Sequence, residues 1–258
     1  MTSKDRHSVI LIHGIRTRAE WQETVARVLE SQSHIKAVPA KYEFFDVIRF
    51  ILPINLFRKK PIDRITKIIR DEKEHGGKIS VIAHSFGSYI ICKILENCGD
   101  IHFHRIILCG GIVRDDYPWD LVKGRIDKGD SESYKILNDC GMKDILPVLA
   151  KSTSWGYGSS GRFGFGSNRV KDRYHALGHS DFFTAQFAQD YWLPFIIDGT
   201  IKKGDIPSST TSWWVSILTI VQPKYLIFIC LLLAWLVYAD IIPLPWISEL
   251  TLEGWLKT

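Results

Sequence analysis

The chain has little that would tie it together covalently or through a metal. Its five cysteines, Cys92, Cys98, Cys109, Cys140 and Cys230, are odd in number, form no Cys-x-x-Cys pair and lie mostly in apolar runs. That excludes a disulfide framework and predicts reduced, structural thiols in a reducing compartment. His102 and His104 have strand spacing, but no third ligand converges on them, so no metal is expected. No internal repeat is found. There is no large excess of one charge: 33 Lys and Arg against 28 Asp and Glu leave +5. This permits an anionic partner without demanding one, and nucleic acid is not expected. Met1 to His7 is polar, and no signal peptide is read there. What remains is a 258-residue chain, 46% hydrophobic and 24% charged, which suits one packed domain with an appendage.

The chain is organised around Lys78-Ile79-Ser80-Val81-Ile82-Ala83-His84-Ser85-Phe86-Gly87-Ser88-Tyr89. A β-branched run stops at a small residue, a serine follows, and an apolar helical period begins with Ile90, Ile91, Ile94 and Leu95. The spacing predicts strand, sharp turn and helix, with Ser85 on the turn. Small-x-Ser-x-Gly is the nucleophile-elbow pattern, with Ala83 in place of the first glycine. It holds a serine hydroxyl clear of a sheet, at a helix N-terminus that favours a developing anion. A serine N-cap after a buried strand is the plainer alternative.

Ser8 to Ile12 reads as a buried parallel strand running into His13-Gly14-Ile15-Arg16-Thr17, with a helix from Ala19 to Ser31. Lys41 to Val47 reads as the next strand. Ile48 to Lys60 is apolar, broken by Pro53, and closes on Arg58, Lys59 and Lys60. It fits either a core loop or a membrane-dipping segment with a basic collar. Pro61 is expected to open a helix to Glu74. Further strands are read at His104–Gly111, Ser133–Asn138 and Arg169–His175, the last an edge. Arg114 to Asp130 is irregular and a candidate cap, and Ser154 to Gly166 is expected to be a flexible hairpin lining a pocket.

The elbow and the His-Gly-Ile-Arg-Thr loop with Trp21 beyond it resemble the serine hydrolases of the α/β-hydrolase superfamily, and among them a group of compact bacterial esterases and lipases. The resemblance runs from Val9 to Trp192. It implies a minimal α/β-hydrolase fold: a mostly parallel sheet flanked by helices, with the first antiparallel strands missing. It implies an oxyanion hole at the N–H groups of Ile15 and Phe86, with Gly14 letting the backbone approach substrate. Arg16 and Trp155 are placed at the substrate, and His13 is expected to shape the loop. The family's acid follows the strand before Asp139, in a Gly-x-x-Asp-x-x-Pro loop that Gly141, Asp144 and Pro147 match. Asp144 is therefore the implied acid, with Asp139 next and Asp115 or Asp116 behind. A role for Asp144 as a helix N-cap reads as incompatible with a role as acid. His179, late and before a helix to Trp192, is the implied base, with His175 in reserve and Asp181 as a cap. Ser85, Asp144 and His179 keep the family's chain order. No cofactor is implied.

After Gly199 the composition changes. Residues 1–200 read as the catalytic domain and 201–212 as a linker. Residues 213–247 read as a membrane-anchoring helix, with Trp213, Trp214, Tyr225, Tyr238 and Trp246 as interfacial aromatics, and 248–258 as a tail. Lys202, Lys203 and Lys224 precede the span and only Lys257 follows it, which predicts a single-pass protein with a cytoplasmic catalytic domain. The expected partners are a lipid bilayer and an acyl-ester or lipid substrate, and the membrane segment offers a route to homo-oligomers. The expected function is a membrane-anchored serine esterase or lipase. An acyl-protein thioesterase and a catalytically inactive scaffold on the same fold are the alternatives.

Overall fold

A computed structural model of the protein describes residues 6–15, 20–42, 50, 55–127, 134–209 and 213–239. Six strands form one sheet: β1 His7–Ile12, β2 Ile35–Ala40, β3 Lys78–His84, β4 Arg105–Cys109, β5 Ile136–Gly141 and β6 Lys171–His175. Their spatial order is β2-β1-β3-β4-β5-β6, and every pairing is parallel. This is the parallel core of the α/β-hydrolase fold, flanked by helices.

The continuous apolar runs are explained by burial on both faces. Ile10, Ile12, Val81, Ala83, Ile106 and Leu108 point into one core, with Ile65, Ile69, Ile90 and Ile94 from the covering helices. Val9, Leu11, Ile82, Ile107 and Cys109 point into the other, with Trp21, Val25, Leu29, Trp192 and Phe195. Each fully buried Ile or Leu contributes roughly 1.5–3 kcal/mol. The first core is covered by α2 Asn55–Glu74 and α3 Phe86–Asn97, the second by α1 Glu20–Leu29 and the segment that follows His179.

The strand order reverses between β1 and β3. The chain leaves β1 toward β2 on one side, whereas the strands after β3 step to the other. A crevice therefore opens at the carboxyl ends of these two strands, where ligands of open α/β sheets bind. The loop with Gly14 and the elbow with Ser85 both lie there.

Several local expectations are corrected. The second strand is Ile35–Ala40, not a run beginning at Lys41; residues 43–49 lie outside the described residues. The strand before the acid loop is Ile136–Gly141. Helix α2 begins at Asn55, so Pro61 lies inside it. Its early turns are held by Phe57 against the core and by Arg58. The Gly-rich stretch is not a hairpin: it carries helix α6 Ser160–Phe163, reached after α4 Trp119–Val122 and α5 Leu146–Thr153. Gly161 serves close packing, since a Cβ on Gly161 would meet the backbone of Gly110 and Gly111 at 2.1–2.7 Å. The segment after His179 is broken into α7 Ala185–Phe187, a π-helical turn Ala188–Trp192 and α8 Leu193–Ile197.

At the C-terminus, α9 Trp213–Val221 and α10 Pro223–Tyr238 are separated only by Gln222, which takes φ 42°. Together they form a 26-residue stretch long and apolar enough to cross a membrane, and its most apolar 18 residues have a mean hydropathy of 2.1 and are 6% buried. Its foot is docked on α5. Val215 is buried, Ser152 Oγ donates to Leu218 O at 3.3 Å, and Lys224 Nζ donates to Lys151 O at 2.7 Å and Ser154 O at 2.9 Å. Beyond Tyr225 the side chains of Leu226 to Leu233 that are described stand exposed.

Candidate active site

Ser85 directly follows β3 and takes φ 52° and ψ −118°, in the left-handed half of backbone space. Holding a non-glycine residue there costs about 1–3 kcal/mol, so the surroundings must enforce it. They do so from three sides. The Ser85 N–H donates to Cys109 O at 3.1 Å on the neighbouring strand. The Ser85 carbonyl accepts from Ser88 N at 3.0 Å and Ser88 Oγ at 2.6 Å. Gly14 and Gly87 leave room: a Cβ on Gly14 would lie 2.7 Å from Ser85 Cβ, and one on Gly87 would lie 2.6 Å from Ile12 O.

The loop after β1 is pinned from its far side. Tyr42 Oη donates to His13 O and Gly14 O, each at 2.9 Å, and His13 Nδ1 donates to Gly14 O at 2.6 Å. The His13 ring is stacked on Tyr42 with centroids 4.2 Å apart, and burial lowers its pKa. A trans peptide points its C=O and the following N–H in opposite directions. With Gly14 O turned to Tyr42 and His13, the Ile15 N–H faces the other way. Phe86, the first residue of α3, is fully buried beside Ser85.

His179 and Asp144 come together. His179 Nδ1 donates to Asp144 Oδ2 at 2.7 Å; the Asp144 side chain is fully buried and that of His179 is 17% exposed. The pair lies over Gly110, which immediately follows β4 at φ 52°. A Cβ there would come within 3.1 Å of His179 Nδ1 and 3.2 Å of Asp144 Oδ2. His84 pairs with Cys109 in the β3–β4 register, so Ser85 and Gly110 are the next residues on adjacent strands. The sheet register thus sets the His179–Asp144 pair over the residue beside Ser85.

The other oxygen of Asp144 accepts from Leu146 N at 2.9 Å, at the start of α5. The N-cap of α5 is Ile145, not Asp144, and because a carboxylate has two oxygens the bond to Leu146 N leaves Oδ2 for His179. Asp139 is differently engaged. It accepts from Arg173 Nε at 2.6 Å, Arg173 Nη2 at 2.9 Å, His175 Nε2 at 3.1 Å and Trp192 Nε1 at 2.8 Å. Burial alone would raise its pKa; the Arg173 charge and the hydrogen bonds from His175 and Arg173 outweigh that and hold it below the usual carboxylate range. His175 is thereby bound to Asp139 and, through Nδ1, lies 3.3 Å from Asp205. Asp115 pairs with Lys151 and Ser159, and Asp116 with Arg114.

Asp181 does not cap the helix; Thr184 does, accepting from Phe187 N. Asp181 Oδ2 instead accepts from Gly178 N at 2.7 Å and folds the His179 loop. Arg16 lies outside the described residues. Trp155 stands at the foot of α10, 6.4 Å from the Tyr225 ring and 5.9 Å from Lys224 Nζ. Arg58 is no membrane collar. It is buried, its guanidinium 4.3 Å from the Tyr157 ring centroid, and its Nη2 donates to Trp155 O at 3.0 Å. Lys59 and Lys60 are exposed. Residues with no role assigned in the sequence reading also build the site: His84, Ser88 and Gly110. Their only signals are adjacency to the elbow and the Cys109-Gly110-Gly111 strand end.

No family model matches the chain, and no curated protein matches it. Among solved structures it is similar to a protein of Thermus thermophilus, at 11% identity over 72% of this chain and 86% of that one, with TM-score 0.47. A pyrethroid hydrolase from Sphingobium faniae is similar at 13% identity over 71% of this chain and 98% of that one, TM-score 0.42. A cutinase-like protein from Cryptococcus sp. is similar at 11% identity over 73% and 91%, TM-score 0.42. The chemistry of the site rests on its own geometry.

Proposed function

We propose that the protein is a serine hydrolase that cleaves acyl esters, with lipids or phospholipids as the substrate class, while held at a membrane by its C-terminal helix. The observation that carries the reading is the 2.7 Å bond between His179 and a buried Asp144, set over Gly110 beside a serine at φ 52°. In the proposed reaction His179 takes the proton of the Ser85 hydroxyl as Oγ attacks the ester carbonyl. Asp144 holds the imidazole in one tautomer and stabilises its charged form. The N–H groups of Ile15 and Phe86 receive the oxyanion. Collapse of the tetrahedral intermediate expels the alcohol, which takes the proton from His179. Water, deprotonated by the same imidazole, then releases the acid from the acyl-enzyme. The lipid part of the reading is supported by the 26-residue apolar stretch docked on α5, the helix that starts two residues after Asp144.

The test is turnover of 4-nitrophenyl acyl esters and of phosphatidylcholine vesicles by the full chain and by Ser85→Ala. The reading predicts hydrolysis of both by the native protein and of neither by Ser85→Ala. Turnover by Ser85→Ala at the native rate overturns the assignment. Hydrolysis of small esters with none of vesicle lipid leaves a serine esterase and removes the lipid.

A further inference from the structure

His84 stands between Ala83 and the candidate nucleophile, and its side chain has no part in the mechanism just described. It is completely buried. Its Nε2 lies 2.9 Å from the backbone carbonyl of His179. A carbonyl only accepts, so Nε2 carries the ring proton and Nδ1 is the bare nitrogen. That Nδ1 has no hydrogen-bond partner among the described residues, and it faces the oxyanion loop: a Cβ on Gly14 would lie 3.4 Å from it. The ring is packed 4.4 Å from the His179 ring and 4.7 Å, edge to face, from Phe183. Burial, and then the neighbouring His179, hold the His84 pKa well below that of a free histidine. The other titratable groups around the ring are His13 and, beyond His179, Asp144. Of two imidazoles in contact, the one paired with a carboxylate is the one able to carry the transferred proton.

We propose that His84 is a positioning residue: its neutral imidazole, fixed by the β3 backbone that leads into Ser85, sets the His179 loop and the Gly14 loop at their working distance from the serine. The proposal rests on the serine-hydrolase reading. A single rigid ring spans the three separate segments that must meet for catalysis. It does so through one directional bond on the His179 side and shape alone on the Gly14 side. The Nε2–H bond is therefore the part that a substitution can remove without disturbing the sheet.

The experiment compares His84→Gln, His84→Asn and His84→Leu in the full chain. The Gln amide nitrogen reaches the place of Nε2, whereas that of Asn reaches only the place of Nδ1. His84→Gln is expected to keep most of the native kcat. His84→Asn and His84→Leu are expected to lose about 100-fold in kcat with KM little changed, the size of effect that a displacement of about 1 Å produces. A second readout needs no turnover. The Nδ1 proton of His179, bonded to Asp144, gives a far-downfield proton resonance in the native protein and in His84→Gln; it is lost or shifted in His84→Asn. Should His84→Leu fail to fold, the two amide variants carry the comparison. Native kcat and an unchanged resonance in His84→Asn overturn the proposal, as does equal loss in Gln and Asn. The resonance separates this failure from that of the hydrolase reading, since it reports the His179 pair even in a protein that cleaves no ester.

Discussion

Asp139 and Asp144 stand five residues apart, one inside β5 and one in the loop beyond it, and their surroundings differ in kind. Asp139 is saturated: two bonds from Arg173, one from His175 and one from Trp192. Asp144 carries two, one from the start of α5 and one from His179. A carboxylate facing a buried guanidinium is committed to holding the β5–β6 edge together. A carboxylate facing a partly exposed imidazole can stabilise a charge that comes and goes. Burial does not separate the two roles, because both side chains are fully buried. The partners do.

The comparison can be broken where the chemistry is largest. Asp144→Asn is expected to lower kcat on 4-nitrophenyl esters by about four orders of magnitude, since the amide favours the wrong histidine tautomer. Its unfolding midpoint in urea should move less than that of Asp139→Asn. The reverse substitution sharpens the contrast. Asp139→Asn leaves Arg173 buried beside a neutral group and is expected to cost roughly 3–5 kcal/mol in urea unfolding. Its folded fraction should stay active. The pH dependence has a definite sign. Asp139 has a folded pKa below its unfolded value. Its contribution is therefore complete above about pH 4 and is lost as the pH falls further. The native protein should lose stability on acidification below that point more steeply than Asp139→Asn.

A smaller effect is expected at Gly110→Ala. The new Cβ would press on His179 at 3.1 Å and force alanine into φ 52°, at a backbone cost of about 1–2 kcal/mol. Ester turnover should fall, with KM changed less than kcat. The smallest is at the other end of α5. Lys224→Met removes two hydrogen bonds to Lys151 O and Ser154 O, at about 1–3 kcal/mol of local stability. It should speed amide hydrogen exchange at the end of α5 and leave turnover of soluble esters unchanged.

How much of this was legible in the sequence follows the range of the interactions. The elbow was legible because its chemistry is local: small residues must flank Ser85, and Ala83 and Gly87 do. The parallel strands were legible because two-sided burial writes an unbroken apolar run. Asp144 was legible only as the first of several candidate acids, with Asp139 next, since Arg173 and Trp192 reach Asp139 from 34 and 53 residues away. The run Arg58-Lys59-Lys60 reads as one basic collar, yet the helical period turns Arg58 inward to Tyr157 and leaves its neighbours outside. The glycines of residues 154–166 read as flexibility. What Gly161 supplies is room for α6 to press against the backbone at Gly110 and Gly111, and Gly158 gives the same room against Val113 and Arg114.

The central claim is that Ser85 is a nucleophile activated by His179. The most direct measurement is reaction of the full-length protein with an alkyl fluorophosphonate, followed by mass mapping of the adduct. The account predicts one stoichiometric phosphonyl adduct, on Ser85, formed quickly by the native protein and far more slowly by His179→Ala. No adduct, an adduct on another residue, or equal labelling of His179→Ala would contradict it.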